Sequence, residues 1–357
     1  MNIPQKTLSL LAIASLFTLS SLSAVETDPV GYVTETIKPA SFNLIGINLS
    51  SPVASTGVFE SAAGNTLTDD QADFTTSLDS GSDYVLKITN GGSELGMNTG
   101  VTASSGTTVT TDDDISSVVT ATTQYEIRKV LTVADIFGAS NDIELQGASA
   151  GDTSSSDVIW IPDGNGGYTQ VYYNSVARGF PPLTVGWKTT LTGNSDASST
   201  PLYFTSGLFI QVQRSAFGAS EAGVDPGDLT SKDIVISGSV IVNNSQVAIE
   251  TGFNAVSRVF PGDLTLADTA FDTELASAVA GNTTDADIIW APDGSGGYTQ
   301  YYYNGVARGF PPLSVGWKGT LTGNTDVSTS SLTTGFFIQR KGAAGMATLT
   351  LPSGLEL

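Results

Sequence analysis

Short runs of alternating apolar and polar residues dominate the chain after its first two dozen positions. Val, Ile, Thr and aromatic residues recur in these runs, and clusters of Gly, Asp, Asn and Ser separate them, which is typical of strands joined by tight turns. Helical periodicity is limited to 132–137 and 269–280, and neither segment is long enough to cover a parallel sheet. The pattern therefore predicts an all-β fold of tandem antiparallel β-sandwich or barrel-like modules with short helical turns.

An internal repeat is the strongest feature of the sequence. Residues 157–194 (DVIWIPDGNGGYTQVYYNSVARGFPPLTVGWKTTLTGN) match 287–324 (DIIWAPDGSGGYTQYYYNGVARGFPPLSVGWKGTLTGN) at 31 of 38 positions, at an offset of 130. Weaker similarity continues on both sides, from LTVAD and LTLAD to LFIQVQR and FFIQRK. Such identity indicates either a recent duplication or a constraint on a whole surface.

The repeat and its flanks predict a modular order. We expect a signal peptide, an N-terminal two-strand element, an inserted small β-module, repeat module A, a linker, a second two-strand element, and repeat module B with a terminal strand. These segments cover 1–24, 25–57, 58–130, 131–217, 218–230, 231–263 and 264–357, respectively.

Each repeat copy is predicted to contain a β-hairpin. DIIW and YTQYYY are β-rich runs, and PDGSGG between them has the chemistry of a tight turn. Alternation places Tyr298, Gln300 and Tyr302 on one face of the second strand. The following RGFPPL segment cannot be a central strand, because its tandem prolines donate no ladder hydrogen bonds.

The chain is expected to be exported. Lys6 precedes an apolar stretch over 8–22 that ends in small residues, as in a signal peptide, and the stretch is too short to span a membrane. Cleavage removes Lys6 and takes the net charge from −21 to −22. This acidity argues against nucleic acid or anionic lipid as a partner. We expect a secreted protein of the periplasm, outer surface or extracellular space, with no membrane span after cleavage.

The residue inventory argues against many enzyme classes. The chain has no histidine and no cysteine, so it lacks the commonest general base, the thiol nucleophile, the usual zinc ligands and any disulfide. A carboxylate pair, a Ser-Lys pair or an oxygen-ligated metal remains possible, but no spacing identifies an acid and a nucleophile. Two identical active sites would also be unusual, whereas duplicated contact surfaces increase avidity. We therefore expect a protein that is not an enzyme and has no cofactor.

Calcium is the one metal that the sequence allows as a candidate. Asp163, Asn165 and Asp293 occupy oxygen-rich, glycine-containing turns. These turns lack the further ligands and terminal Glu of an EF-hand. A hairpin turn with Asp at its start and Gly at positive φ explains the same residues, and we favour that interpretation.

Aromatic and arginine residues of the repeat are the candidate binding residues. The aromatic candidates could stack on sugar rings or fill a small core, and we favour packing. Each arginine precedes GFPPL, where we favour a buried role, tying loop carbonyls or a carboxylate, over ligand contact. The full set is Trp160, Tyr168, Tyr172, Arg178 and Trp187, repeated as Trp290, Tyr298, Tyr302, Arg308 and Trp317.

A resemblance to a known family rests on the order of five blocks. These are DPVGYVT, FNLIGINL, LTVADIFGASN, DVIWIPDGNGGYTQVYYN and FFIQRKG. Together they resemble a family of exported proteins of unassigned role with many paralogs in Verrucomicrobia and related bacteria. The resemblance implies secretion into a Gram-negative-type envelope and supplies no catalytic residues. The chain departs from that pattern in its second repeat block and in RGFPPL.

These observations favour a secreted, non-catalytic structural or interaction protein of the cell envelope or surface with a duplicated contact surface. Its partner is unknown, and self-assembly or an extracellular glycan would fit. A glycan-binding β-module protein is the alternative, and a carboxylate-based polysaccharide hydrolase is a lower alternative.

Overall fold

The computed structural model describes residues 29–179, 182–190, 195–213, 231–308, 312–352 and 355. The expected signal peptide and the expected linker over 218–230 lie outside these residues. Strands, most of them in antiparallel pairs, dominate the regular structure of the described residues, and the helices there are single turns, which confirms the predicted all-β fold. None of the helices in the described ranges has the length and apolar character needed to cross a membrane.

The chain enters the fold through β1 (Val30–Ile37) and β2 (Ser41–Gly46), and an inserted sheet follows. Its elements are β3 (Val53–Val58), β4 (Ser61–Ala63), β5 (Thr66–Thr68), α1 (Phe74–Ser77), β6 (Tyr84–Ile88), β7 (Asn98–Ser105), β8 (Thr108–Thr111) and β9 (Gln124–Lys129). The seven strands have the order β3-β9-β6-β7-β8-β5-β4, and the sheet is curled into a half-barrel. It begins at Val53, so the end of the expected 25–57 element belongs to the insert.

The first unit continues after the insert. Its elements are β10 (Leu131–Thr132), α2 (Val133–Phe137), β11 (Ala148–Ser149), β12 (Val158–Pro162), β13 (Tyr168–Val176), β14 (Gly186–Thr189), β15 (Pro201–Leu202), β16 (Gly207–Val212) and β17 (Lys232–Ser239). The main sheet has the order β11-β13-β12-β16-β2, with β14 also on β13. Two antiparallel ribbons, β1-β17 and β10-β15, complete the unit.

The second unit repeats this topology strand for strand. Its elements are β18 (Ser245–Ile249), β19 (Gly252–Ser257), β20 (Leu264–Thr265), a 3₁₀ turn (Leu266–Asp268), α3 (Phe271–Glu274), β21 (Ala278–Val279), β22 (Ile288–Pro292), β23 (Tyr298–Val306), β24 (Gly316–Gly319), β25 (Ser331–Leu332), β26 (Gly335–Arg340) and β27 (Gly345–Leu349). Its main sheet is β19-β26-β22-β23-β21, with β24 on β23. The expected element 231–263 is therefore divided, because β17 pairs with β1 in the first unit whereas β18 pairs with β27 in the second.

Each unit has a two-layer core between its main sheet and the longer ribbon. In the first unit Ile37 and Ile234 of the ribbon lie in one buried cluster with Ile159 of the sheet. In the second unit Leu349 of the ribbon is buried with Ile289. Strand alternation explains the arrangement, since every second residue of the sheet faces this core and the others face away from it.

Helices α2 and α3 lie within the two segments that were predicted to be helical, and each is shorter than its segment. The prediction over 132–137 is confirmed by α2, which Thr132 caps by accepting a hydrogen bond from the Asp135 amide while the Asp135 carboxylate accepts one from the Thr132 amide. This reciprocal capping box satisfies amides at the start of the helix. Only one turn of the 269–280 segment is α-helical, and its end forms β21, which pairs with β23.

The outer faces of the two main sheets pack against each other where β2 and β16 meet β19 and β26. The Ser257 amide donates to the Thr205 carbonyl across this contact at 3.0 Å. Two glycines allow the close approach: a Cβ on Gly46 would collide with the Thr334 carbonyl, and one on Gly335 would lie 2.8 Å from the Ile45 carbonyl carbon.

Candidate functional site

The repeated hairpin turns are built around an aspartate. Asp163 Oδ1 accepts hydrogen bonds from the amides of Asn165 and Gly167 at 2.8 and 2.9 Å. In the second unit Asp293 Oδ1 accepts from the Ser295 and Gly297 amides at 2.7 and 3.0 Å. These bonds hold the pKa of Asp293 below its ordinary value, and the bond from the Ser295 amide has the largest effect. The predicted hairpins are confirmed as the antiparallel pairs β12-β13 and β22-β23.

This geometry accounts for Asp163, Asn165 and Asp293 as turn residues. One carboxylate oxygen in each turn already accepts two main-chain amides, and two glycines in each turn adopt positive φ, which favours glycine: Gly164 and Gly166, and Gly294 and Gly296. Throughout the described ranges, no group of three or more acidic side chains is arranged to hold a metal ion.

Four aromatic rings form a closed cluster on the outer face of each main sheet. In the first unit the cluster contains Phe42, Trp160, Tyr168 and Phe209, whose neighbouring centroids are 5.8–6.4 Å apart. The second unit repeats it with Phe253, Trp290, Tyr298 and Phe337 at 5.7–6.5 Å. All of these contacts are tilted or edge-to-face, and aromatic quadrupoles favour such geometries.

The two aromatic clusters meet at the contact between the units. Phe209 and Phe337 join them with ring centroids 5.4 Å apart. The indole N–H of Trp160 donates to Gln211 Oε1 at 3.1 Å, and that of Trp290 donates to Gln339 Oε1 at 3.3 Å. The indoles are thus half-buried with their polar groups satisfied inside the protein. Packing between the units explains this part of the aromatic candidate set.

Another four candidates are buried inside single units. Tyr172 and Tyr302 are 1% and 6% exposed, and Trp187 and Trp317 are 1% and 5% exposed. The Trp187 indole N–H donates to the Gly138 carbonyl at 2.8 Å, beneath helix α2. Their rings are therefore not available as a platform for a sugar. Burial also raises the pKa of Tyr172 and Tyr302, so both hydroxyls stay protonated.

A shallow cleft of about 190 Å³ borders the aromatic clusters between the units. Phe42 from the first unit and Tyr298 from the second line it, together with polar atoms of Lys38 and Thr334. Phe42 is 53% exposed and Tyr298 is 38% exposed. This cleft occurs at the junction and so is not duplicated by the repeat.

The loops after β13 and β23 are the exposed part of the repeat. We call residues 176–185 the Arg178 loop and residues 306–315 the Arg308 loop; the structure describes 176–179 and 182–185 of the first, and 306–308 and 312–315 of the second. Both arginines are exposed. The expectation of buried arginines tying loop carbonyls or a carboxylate is therefore wrong, because each arginine follows the end of its strand and its side chain is left uncovered.

Apolar side chains flank each arginine. Val176 and Val185 are 36% and 51% exposed, and Val306 and Val315 have the same exposures. In each loop a main-chain hydrogen bond closes the turn. The Leu183 amide donates to the Arg178 carbonyl at 2.9 Å, and the Leu313 amide donates to the Arg308 carbonyl at 3.0 Å. Each loop is thus a hydrogen-bonded turn with an exposed arginine and two exposed valines.

A buried asparagine at the end of each long strand holds the base of the loop. Asn174 is fully buried, its Nδ2 donates to the carbonyls of Val176 and Thr184 at 3.0 Å each, and its Oδ1 accepts the Gly151 amide at 3.1 Å. Asn304 makes the equivalent bonds. The sequence analysis did not identify Asn174 or Asn304 as candidates. Strand alternation was the available signal, because it places Asn174 on the same face as residues 168, 170 and 172.

The degree of identity between the units changes sharply along a common fold. In 145–156 and 275–286, immediately before the repeat, only five of 12 residues match, although both segments form the same short strand on the long one. In the repeat 31 of 38 match, including every described residue of the Arg178 loop except Thr184. Recent duplication would leave the flanks equally alike, and packing does not constrain exposed loop residues. The loops therefore carry a constraint of their own.

Comparison of the chain with protein-family models, with curated proteins and with solved structures finds no match.

Proposed function

We propose that this chain is a secreted, non-catalytic structural or interaction protein of the cell envelope or surface, and that the Arg178 and Arg308 loops are its duplicated contact surface. The observation that carries the proposal is the near-identity of two exposed loops in units whose neighbouring segments have diverged. A shared partner explains why both loops keep the same side chains.

The chemistry of the loops indicates an acidic partner surface with apolar patches. A guanidinium forms bidentate hydrogen bonds with carboxylates, and the flanking valines would bury apolar area on contact. The chain itself carries 35 acidic and 14 basic residues, so a second copy offers a carboxylate-rich surface. Several other cations are already engaged; Arg340, for example, pairs with buried Asp287 at 2.8 Å. We therefore propose self-assembly, with the loops of one copy on the acidic surface of the next.

The positions of the loops suit assembly into chains. In each unit the strands that meet the other unit lie at one edge of the main sheet, and the loop lies towards the other edge. A chain that carries two copies of one contact surface can bind two neighbours at once, and linked contacts of this kind gain avidity.

Sedimentation and light scattering of the purified protein over a range of concentrations test the proposal. We expect association that weakens as salt screens the contact, and we expect the double variant Arg178→Ala/Arg308→Ala to remain monomeric at concentrations where the parent associates. Lys341→Ala is the matched control, because it removes an exposed cation outside the loops and should associate as the parent does. A parent that stays monomeric throughout, or a double variant that associates normally, would contradict self-assembly.

Glycan binding is the second candidate function, and the half-exposed rings of the cleft favour it. Phe42 and Tyr298 could stack on a sugar while Lys38 and Thr334 contact its hydroxyls. A glycan array distinguishes the two functions: binding that survives the double arginine variant but is lost in Phe42→Ala would assign contact to the cleft.

A further inference from the structure

A lysine is buried where the inserted sheet docks on the second unit. Lys87 lies on β6 and is 2% exposed. Its Nζ donates to the main-chain carbonyl of Asn243, in the segment just before β18, at 3.3 Å. Gln246 fixes the same contact, because its amide donates to the Gly96 carbonyl at 2.7 Å. Residues 156 positions apart therefore meet at one buried point.

A carboxylate and a carboxamide, those of Glu126 and Asn243, belong to residues that line one cleft beside this amine. Lys87 and Glu126 are directly opposite each other on β6 and β9, so their side chains share one face of the sheet. Glu126 is 8% exposed, and its Oε2 accepts from the Arg128 guanidinium at 3.1 Å. Asn243 Oδ1 is buried and has no hydrogen-bond partner among the residues that the structure describes. Only three bonds separate the carbonyl carbon that Lys87 contacts from the side-chain Cγ of Asn243.

We propose that Lys87 and Asn243 become joined by an intramolecular isopeptide bond, with Glu126 as the proton carrier. A buried amine, a carboxamide within reach and an adjacent carboxylate supply the nucleophile, electrophile and base of an acyl transfer. The bond would tie the inserted sheet covalently to the second unit. It goes beyond the proposed contact function and does not depend on it.

The reaction balances without any outside reagent. The neutral Lys87 amine attacks Asn243 Cγ and forms the new C–N bond, Glu126 accepts the proton that the nitrogen loses, and the same proton passes to the leaving amide nitrogen. The C–N bond of the carboxamide then breaks and one ammonia molecule leaves. Burial lowers the pKa of Lys87 to about 7, so a large share of the amine is neutral at that pH.

A second carboxamide nearby is held differently. Asn98 lies opposite Lys87 on β7, but its Nδ2 donates to the carbonyls of Gly96 and Gln246 at 2.7 and 2.9 Å. These bonds hold the Asn98 amide nitrogen in the docking contact, where its loss as ammonia would break both. Asn243 is therefore the acceptor that the contacts favour.

Mass spectrometry of the purified full chain tests the proposal directly. We expect a mass lower than the sequence mass by one ammonia, and a tryptic peptide in which the segment containing Lys87 is joined to the segment containing Asn243. Trypsin should also fail to cleave after Lys87. A parent protein with its full sequence mass and a free Lys87 peptide would overturn the proposal, whatever any variant does.

Variants identify the reacting groups. Lys87→Met and Glu126→Gln should each retain the full sequence mass, whereas Asn243→Asp should lose one water in place of one ammonia. Asn165→Ser, which changes an exposed carboxamide in the first hairpin turn, is the matched control, and it should keep the Lys87–Asn243 peptide. A cross-link from Lys87 to Asn98, or a cross-linked Glu126→Gln protein, would contradict the assignment.

Discussion

Replacing Asn174 with alanine tests the claim that one buried side chain holds the Arg178 loop. The substitution removes three short hydrogen bonds, two from Nδ2 to the Val176 and Thr184 carbonyls and one from the Gly151 amide to Oδ1, together with a longer one of 3.5 Å from Nδ2 to the Leu183 carbonyl. Asn174 is fully buried, so water cannot easily replace the missing partner. The Val176 and Thr184 carbonyls and the Gly151 amide then lose their hydrogen-bond partner.

The structure sets the size of the effect. Each of the three bonds is 3.0–3.1 Å long and contributes about 1 kcal/mol net, and a buried polar group left unpaired costs about 1–3 kcal/mol. We therefore expect Asn174→Ala to lower the free energy of unfolding of the first unit by about 3 kcal/mol. Asn304→Ala should cost the second unit a similar amount, and the two losses should add, since the sites share no partners.

Urea unfolding followed by tryptophan fluorescence measures this loss, because Trp187 and Trp317 report on the two cores. Hydrogen exchange adds a local measurement: the Leu183 amide, which bonds to the Arg178 carbonyl, should exchange faster in Asn174→Ala.

Asn165→Ser is the control for this experiment. Asn165 is exposed in the hairpin turn, and the second unit already carries Ser295 at that position. The change should stay within about 0.5 kcal/mol. If Asn174→Ala costs less than about 1 kcal/mol and leaves the exchange of Leu183 unchanged, the idea that Asn174 holds the loop is refuted.

Two further predictions concern the contact between the units. Gly46→Ala should lower the melting temperature and separate the units, because its Cβ would collide with the Thr334 carbonyl. Gly342→Ala is the control: the space around its new Cβ is open, so the melting temperature should stay unchanged. Burial raises the pKa of Glu35 above its ordinary value of 4.5, against the opposing hydrogen bond from Thr334. The folded chain then holds a proton that the unfolded chain has lost, so the stability of the parent relative to Glu35→Gln should increase as the pH falls from neutral towards 4.5; a pH-independent difference would contradict the raised pKa.

Much of each unit followed from local pattern. The hairpin over 157–176 was predictable because alternation and an Asp-Gly turn act over a few residues. The helix after Thr132 was predictable because its capping box lies within four residues. The pairing of β1 with β17 was not, since the partners are about 200 residues apart and no local pattern records which distant strand completes a ribbon.

For the candidate residues, the sequence predicted the face of a strand but not what covers that face. Alternation placed Tyr168 and Tyr172 on the same face of β13, yet Tyr168 reaches the contact between the units and Tyr172 is covered by the segment around Ala148. Arg178 was misjudged because its exposure depends on the loop extending beyond the sheet edge. Lys87 drew no attention in the sequence, since its burial arises only when the insert docks on β18.

The sequence by itself determined the all-β class, the repeated hairpin and the strongly acidic charge. These properties follow from composition and from patterns within one or two strands. Only the tertiary structure decided that the aromatic faces pack between the units, that the arginine loops stay exposed, and that Lys87, Glu126 and Asn243 meet. Each of these outcomes depends on contacts between segments far apart in the chain, where burial and proximity are set by how whole sheets pack.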